Sequence, residues 1–449
     1  MEFTPWTLLT DLGLIGLLLV IGTIIRAKLR PVQSLLIPAS VIAGFLGLFL
    51  GPEFLGLLPF SEHLGTYASV LIAVIFACLA FAGDFDLRKI GRPLANFASY
   101  SVLIYSSQVA IGALVGLAIL APLLGTPDGF GLLLFAGWVG GFGSAAAIGG
   151  VFEDSGWEGA QSLAFTSATV GMLIAIIGGV IQAKVAANRG HVNEFQGMRH
   201  LPRDIRTGVL DGDEDPSPIG NHRFSSASIE SLMFQVSIIV ALTAGAYGVN
   251  EILGGLFPDV AFPLFSLAFI LGLVLRWLMS VTSTSRHMDK ESLRSISGSS
   301  TDVLVVCGIA SIAPSVVADN WLALTILFVV GLGILLVLGL VMAPRVLGDA
   351  WFEKQLFTWG WGTGTVAMGI AMLRIVDPRL RSNTLEQYSV ATIPNTAVEI
   401  TAVTFTPVLV LAGSAWAVVG IYGAIAVVGL AIPLVLLRGQ RQAAKSGAA

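Results

Sequence analysis

Apolar runs about twenty residues long, separated by short polar or basic stretches, predict eleven membrane-spanning helices. They lie at roughly Thr7 to Ile25, Leu36 to Leu50, Tyr67 to Gly83, Leu94 to Leu120, Ser162 to Ala186, Ile229 to Val249, Pro263 to Met279, Thr301 to Val317, Leu322 to Met342, Leu385 to Leu411 and Trp416 to Leu437. A helix of about twenty residues covers a hydrocarbon core about 30 Å thick. Two further stretches, Gly129 to Phe152 and Trp351 to Ile375, are too broken for a plain span and too apolar for a surface loop. The first contains GWVGGFGSAAAIGG, residues 137 to 150, with six glycines in fourteen positions. Each glycine costs a helix about 1 kcal/mol relative to alanine. Both stretches are predicted to be re-entrant helical hairpins, because bare backbone at membrane depth is tolerated only where protein or a watery cavity surrounds it.

Composition strengthens this reading. Of 449 residues, 55% are hydrophobic and only 12% charged, and the mean hydropathy is +0.86. Soluble domains carry about a quarter charged residues, so the fold class expected is an all-α polytopic membrane protein. A formal net charge of −4 gives no reason to expect a nucleic-acid partner. Cys78 and Cys307 fall inside apolar runs, where small packing residues are expected rather than a disulfide or metal site. The first run lacks a basic flank before it and has one after it, as in a retained first span rather than a cleaved signal.

Charge sets the predicted orientation. Arg26, Lys28 and Arg30 follow the first span, Arg88, Lys89 and Arg92 the third, and Lys184, Arg189, Arg199, Arg203, Arg206 and Arg223 the fifth. The alternate loops hold no Lys or Arg. By the positive-inside rule the N-terminus is outside and the C-terminus cytoplasmic, in a bacterial inner membrane. The first hairpin then opens outward and the second inward, around Arg345, Lys354, Arg374, Arg379 and Arg381.

Landmarks recur in the same order in both halves. Ile37-Pro38, Gly141-Phe142-Gly143-Ser144 and Ala168-Thr169-Val170-Gly171 are matched by Phe262-Pro263, Gly360-Trp361-Gly362-Thr363 and Ala391-Thr392-Ile393-Pro394. Two inverted five-helix repeats are therefore expected, 1–187 with its hairpin at about 129–152, and 227–412 with its hairpin at about 351–375. Residues 188–226 between them, acidic at Asp211, Asp213, Glu214 and Asp215, read as a mostly disordered cytoplasmic linker. Residues 413–449 form an extra C-terminal helix and basic tail.

Paired glycine-interrupted apolar segments in two halves point to the binding site of a secondary transporter. The segment Leu36-Ile37-Pro38-Ala39-Ser40-Val41-Ile42-Ala43-Gly44, the stretch Ser107-Gln108-Val109-Ala110-Ile111-Gly112, both glycine hairpins and Ile393-Pro394 together resemble the bacterial glutamate:sodium symporter family, from about Leu36 to Leu411. The resemblance implies a homodimeric carrier, Na+-coupled, with an elevator-like movement of the hairpin-bearing domain. The chain departs from the family pattern in three places. Phe142 stands where the family has histidine, Thr365-Val366-Ala367-Met368 replaces a proline after the second glycines, and Glu399 lies a turn before the family's acidic position.

The groups expected to contact the solute are Gly141, Phe142, Gly143 and Ser144 in the first tip, and Gly362, Thr363, Gly364 and Thr365 in the second, with Asn395. Free N–H groups at half-helix ends suit carboxylates, and glycine permits close approach; packing through small residues is the competing reading. For the ion the candidates are Thr166, Ser167 and Thr169, and Thr392, Thr396 and Glu399. Serine and threonine can equally bond their own helix. Glu399 faces water, binds Na+ or carries a proton, unless it is an exposed helix-end residue. Gln108 either bonds a hairpin or bridges helices, and Asp302 either caps the eighth span or binds the ion. Glu153, Asp154 and Glu158 are expected to be solvated on the outer link, and Arg374 to anchor the cytoplasmic side. His63, His191, His200, His222 and His287 fall in predicted loops, so no resident metal or cofactor is expected.

The leading expectation is Na+-coupled symport of glutamate or a related anionic or zwitterionic small molecule. A carrier of the same fold for a dicarboxylate or 2-hydroxycarboxylate, proton-coupled through Glu399, stays open, as does a cation/proton antiporter. An enzyme is not expected, since neither His-Glu-x-x-His nor Gly-x-Ser-x-Gly occurs.

Overall fold

The computed structural model describes residues 3–82, 92–190, 203–210, 218–225, 227–257, 262–377 and 380–446. Among them every regular element is helical. The first half runs α1 (Pro5–Lys28), α2 (Arg30–Leu35), α3 (Ala39–Leu50), α4 (Leu64–Ala82), α5 (Arg92–Val115), a π-turn (Gly116–Leu120), α6 (Ala121–Leu124), α7 (Leu133–Gly137), α8 (Gly141–Asp154) and α9 (Ala160–Asn188). A short α10 (Arg203–Thr207) leads to α11 (Ser231–Leu256), α12 (Leu264–Val281), α13 (Lys290–Ala310), α14 (Pro314–Asp319), α15 (Trp321–Val337), a second π-turn (Leu338–Met342), α16 (Ala343–Val346), α17 (Trp351–Gly362), α18 (Val366–Val376), α19 (Thr384–Leu411) and α20 (Ala415–Ser446).

Nine of these stretches are long and apolar enough to cross a membrane: α1, α4, α5 to α6, α9, α11, α12, α15 to α16, α19 and α20. The other two predicted spans are also helical but differ from expectation. α3 has only 12 residues, about 18 Å of rise, because Leu36 turns left-handed at φ 53° and Pro38 precedes the first turn. The eighth span does not open at Thr301. Its helix α13 starts at Lys290, capped by Asp289, whose carboxylate accepts from Ser292 N. The polar run KESLRSISGSSTD reads as a loop by composition, yet it is wound as helix by that cap and by Glu291 in the first turn.

Helix ends follow local chemistry. At α1, Thr4 and Thr7 cap each other reciprocally, Pro5 takes the first position, and Arg26 and Lys28 close the last turn. Glu153 is not merely solvated: it accepts from Gly159 N at 3.0 Å and Gln161 N at 3.1 Å, binding the end of α8 to the start of α9. Large apolar side chains on α1, α11, α15 and α20, among them Val20, Val240, Val329 and Val427, lie exposed on the outside of the bundle, as lipid-facing surfaces do.

Inside, close approach depends on small residues. A Cβ on Gly44 of α3 would sit 2.7 Å from Ile309 Cβ of α13, and one on Gly272 of α12 would sit 2.6 Å from Ala80 Cβ of α4. The pairs α3 with α13 and α12 with α4 thus meet backbone to side chain. Cys78 and Cys307 are buried and unbridged in α4 and α13. Each half also carries a π-turn followed by Ala-Pro and a glycine of positive φ, Gly125 at 68° and Gly348 at 64°.

In the polar stretch 188–226, residues 203–210 and 218–225 make contacts with the helices. Asp204 of α10 pairs with Arg374 at 3.7 Å, so Arg374 has a partner beyond simple anchoring. Residues 218–225 lie against the start of α13, where Asp289 accepts from Asn221 N and Nδ2. Burial pushes the Asp289 carboxyl up, but the hydrogen bonds from Asn221 and Ser292 outweigh it and hold the group well below the ordinary carboxylate range. Asp211, Asp213, Glu214, Asp215, Arg199, His191, His200, Arg88, Lys89 and Arg379 lie outside the described residues.

Candidate functional site

The two glycine stretches break and reverse. α7 ends at Gly137, and after three residues α8 opens at Gly141, whose φ of 63° a residue with a side chain would adopt only under strain. α17 ends at Gly362, and α18 starts after Thr363-Gly364-Thr365, with Thr365 capping Met368 N at 3.3 Å. α18 folds back along α17, since a Cβ on Gly360 would lie 2.8 Å from Gly369 Cα. The repeated motif therefore sits differently in the two halves: Gly141 to Ser144 form the first turn after one break, whereas Gly360 to Thr363 lead into the other.

The breaks meet. A Cβ on Gly141 would be 3.0 Å from the Gly364 carbonyl oxygen. Both breaks rest on one face of α9: a Cβ on Gly171 would be 2.6 Å from Thr363 O, and one on Gly137 would be 2.5 Å from Ala168 N. From α5, Gln108 donates through Nε2 to Gly362 O at 2.8 Å. Gln108 therefore holds a break, one of its two expected roles. Its Oε1 stays buried with no hydrogen-bond partner, a costly arrangement in an interior unless something arrives to fill it.

The predicted residues divide by what their polar atoms already do. Phe142 is buried and stacked on Phe165 at 6.5 Å, and Gly143 faces Ile72 of α4, so these two offer backbone only. Ser144 is buried against Gly140. Thr363 is fully buried and donates to Trp359 O at 2.8 Å. On α9, Thr166 donates to Ser162 O, Thr169 to Phe165 O and Ser167 to Leu133 O, at 2.8, 2.8 and 2.7 Å. The first two bonds lie within the helix, and the third fastens α9 to α7.

On α19 the picture is the opposite. Asn395 is 1% exposed, and both its Oδ1 and Nδ2 lack partners. Pro394 lies within this helix, so its missing N–H frees the carbonyl one turn earlier, at Val390. Thr396 donates to Thr392 O at 3.1 Å. Glu399, one turn beyond Asn395, is half-buried mid-helix rather than at a helix end, and no hydrogen bond or ion pair holds its carboxylate among the described residues. Asp302 belongs to none of this: it lies exposed in the middle of α13, beside Ser40, and the capping role falls to Asp289.

Three groups escaped the sequence reading. Tyr105, one turn before Gln108 on α5, is buried with an unpartnered hydroxyl near Ser144 and Glu399. Trp138, in the first break, has an unpartnered indole nitrogen. Gln355 of α17 donates to Gln182 of α9 at 2.9 Å, while Gln355 Oε1 and Gln182 Nε2 go unpaired. The available signal was a polar or amphipathic side chain in an apolar run, which for a tyrosine is too common to stand out.

Chemically, two helix N-termini meet beside the Gly362 and Gly364 carbonyls and the Gln108 amide oxygen, and Tyr105 lies between Ser144 of the first and Glu399. Such a set can replace the hydration of an anion at one place and a cation at another. No curated protein matches the chain. The family model described as sodium/glutamate symporter matches residues 7–376, which takes in both breaks and stops before α19. The chain, a multi-pass membrane protein, therefore belongs to the sodium/glutamate symporter family.

Proposed function

We propose that this chain carries glutamate or a related small carboxylate into a bacterial cell together with Na+, by alternating access. The observation that carries the reading is the meeting of the two breaks: Gly141 lies against the Gly364 carbonyl inside the bundle, beside Gln108, whose Oε1 is unpartnered. The N-terminal turns at Gly141 to Ser144 and after Thr365 would receive the carboxylates. Asn395, Thr392, Thr396 and Glu399, with the carbonyl freed by Pro394, would receive Na+.

Each break is read as the tip of a re-entrant hairpin, in two inverted repeats. The matched π-turn and Ala-Pro sequences, and the matched glycine contacts at Gly44 and Gly272, support a duplication. The alternation of the spans, though not their direction, draws support from tryptophan. Trp6, Trp321 and Trp416 are 76, 61 and 59% exposed in the first turns of α1, α15 and α20, which the predicted alternation puts together at one membrane–water interface, where indoles concentrate. To this reading belong a homodimer and an elevator-like movement of the hairpins, the arrangement that the family resemblance implies.

Uptake of radiolabelled glutamate into proteoliposomes tests the reading. Replacing external Na+ by choline is expected to abolish it. Uptake that persists in choline and follows a pH gradient would turn the coupling to protons, a second reading favoured by the unpaired Glu399. Exclusion of glutamate by other dicarboxylates in competition would move the substrate within the class.

A further inference from the structure

The last helix has no obvious duty. It lies beyond the part of the chain that matches the family, and by sequence it is an addition. Its packing says otherwise. α20 lies along α5 so closely that a Cβ on Gly429 would meet Ser99 O and Leu103 N, both at 3.2 Å. Together α5, α19 and α20 enclose an apolar groove of about 510 Å³ lined by Ser99, Val102, Pro394, Val398, Ile425 and Val428.

Beyond one end of the groove the lining changes character. On α19 the next residue after Val398 is Glu399. On α5, Tyr105 lies one turn after Val102. On α20, Tyr422 lies one turn before Ile425, and two turns before Gly429. Tyr105 and Tyr422 thus lie toward the same end of the groove, close to one another, with Glu399 close to Tyr105. Tyr422 is 3% exposed, beside Thr401 and close to Tyr105, which is itself close to Glu399. Thr401 gives its proton to its own helix, at Ala397 O and Val398 O, so it makes no demand on the tyrosine as an acceptor. The groups facing Glu399 are Tyr105 from α5, Tyr388 from α19 and, through Tyr105, Tyr422 from α20, with Ser144 of α8 beside Tyr105. No cation is among them.

We propose that Tyr105 and Tyr422 complete the Na+ site around Glu399, so that α20 is a wall of that site and not an appendage. This rests on the functional reading above and deepens it. A carboxylate and a phenol oxygen are hard-oxygen donors of the kind an alkali cation accepts, Tyr422 holding the phenol of Tyr105 in place, and a half-buried carboxylate without a counter-charge gains by acquiring one. Without α20, the face of α5 and α19 bearing Tyr105 and Glu399 would lie open to lipid, where neither group finds a partner. Tyr422 is a positioning residue on this account and Tyr105 a ligand candidate.

The test uses the purified full-length protein in detergent and reads intrinsic tryptophan fluorescence, since Trp138 and Trp361 flank the two breaks. NaCl is titrated against choline chloride at constant ionic strength, with no substrate present. The wild type is expected to show a saturable Na+ response. Tyr422→Phe and Tyr105→Phe are each expected to raise the half-saturating Na+ concentration at least threefold with the amplitude retained, while Tyr247→Phe, on the exposed side of α11, matches the wild type. A wild type that responds and two variants with its own midpoint would overturn the tyrosine wall and leave the carrier reading intact. A wild type with no Na+ response would overturn the Na+ reading itself, and this inference with it.

Discussion

Hydroxyl and amide groups in this bundle are separated by whether the backbone has already engaged them. Thr166 and Thr169 each give their proton to a carbonyl four residues back, the ordinary behaviour of threonine in a membrane helix. Asn395 has no such option: its donor and its acceptor both point into protein with nothing to bond, which costs about 1–3 kcal/mol per group unless a ligand fills the place. Glu399, half-buried one turn on, likewise has no hydrogen bond or ion pair among the described residues. Glu399→Gln is therefore expected to raise the half-saturating Na+ concentration for uptake about tenfold, corresponding to about 1.4 kcal/mol, whereas Thr169→Val leaves it within twofold. Measuring initial uptake rates against Na+ in proteoliposomes decides this. An equal shift in both variants would return the ion to α9. Sequence alone listed these residues together, because spacing reveals a helix face but not which carbonyl a hydroxyl has found.

At the scale of elements, most boundaries were legible and the exceptions have local causes. Ten of the eleven predicted spans coincide with helix because an apolar run in lipid has no other way to satisfy its backbone; the eighth covers the end of α13 and, across a break at residues 311–313, the start of α14. The start of α13 was missed by about three turns, since Ser-Gly-Ser-Ser composition suggests a loop and outweighs a distant Asp-x-x-Ser cap. That cap does more than start a helix. Asp289 also holds residues 218–225 through Asn221, with Arg223 at 3.6 Å. Its carboxyl is held below its free value of about 3.9, so its contribution to this docking is complete above the free value and is lost as the pH falls through the lower, folded one. Hydrogen–deuterium exchange over 218–225, corrected for intrinsic rates, is expected to be unchanged from pH 7 to pH 5 and faster only well below the ordinary carboxylate range. Asp289→Ala should show fast exchange at neutral pH, having lost charge-assisted bonds of about 1.5–3 kcal/mol each. Protection that persists in the variant would assign the docking to Phe224, which stacks on His287 and packs on Phe234.

The whole molecule is organised by the contact of two breaks far apart in sequence. If transport requires them to part, fixing them together must stop it. In a background with Cys78 and Cys307 replaced by alanine, cysteines at Gly141 and Gly364 are expected to join through a short bifunctional thiol reagent, halting uptake by about tenfold or more. Removing Cys78 and Cys307 first keeps the reagent to the tips, and a cleavable version should restore uptake on reduction. Full cross-linking with unchanged uptake would exclude tip separation from the cycle.

The sequence by itself determined the class of protein, its helices, the two glycine breaks and the family they resemble. These follow from apolar run length and from the few residues that let a backbone bend, both of which are local properties. Only the tertiary structure decided that Gly141 meets Gly364, that Gln108 holds Gly362 while Asp302 holds nothing in the site, and that α20 packs along α5 with Tyr422 buried. Those facts depend on which helix faces lie against each other, and in lipid that choice is made by close packing around small residues, whose partners lie hundreds of positions away.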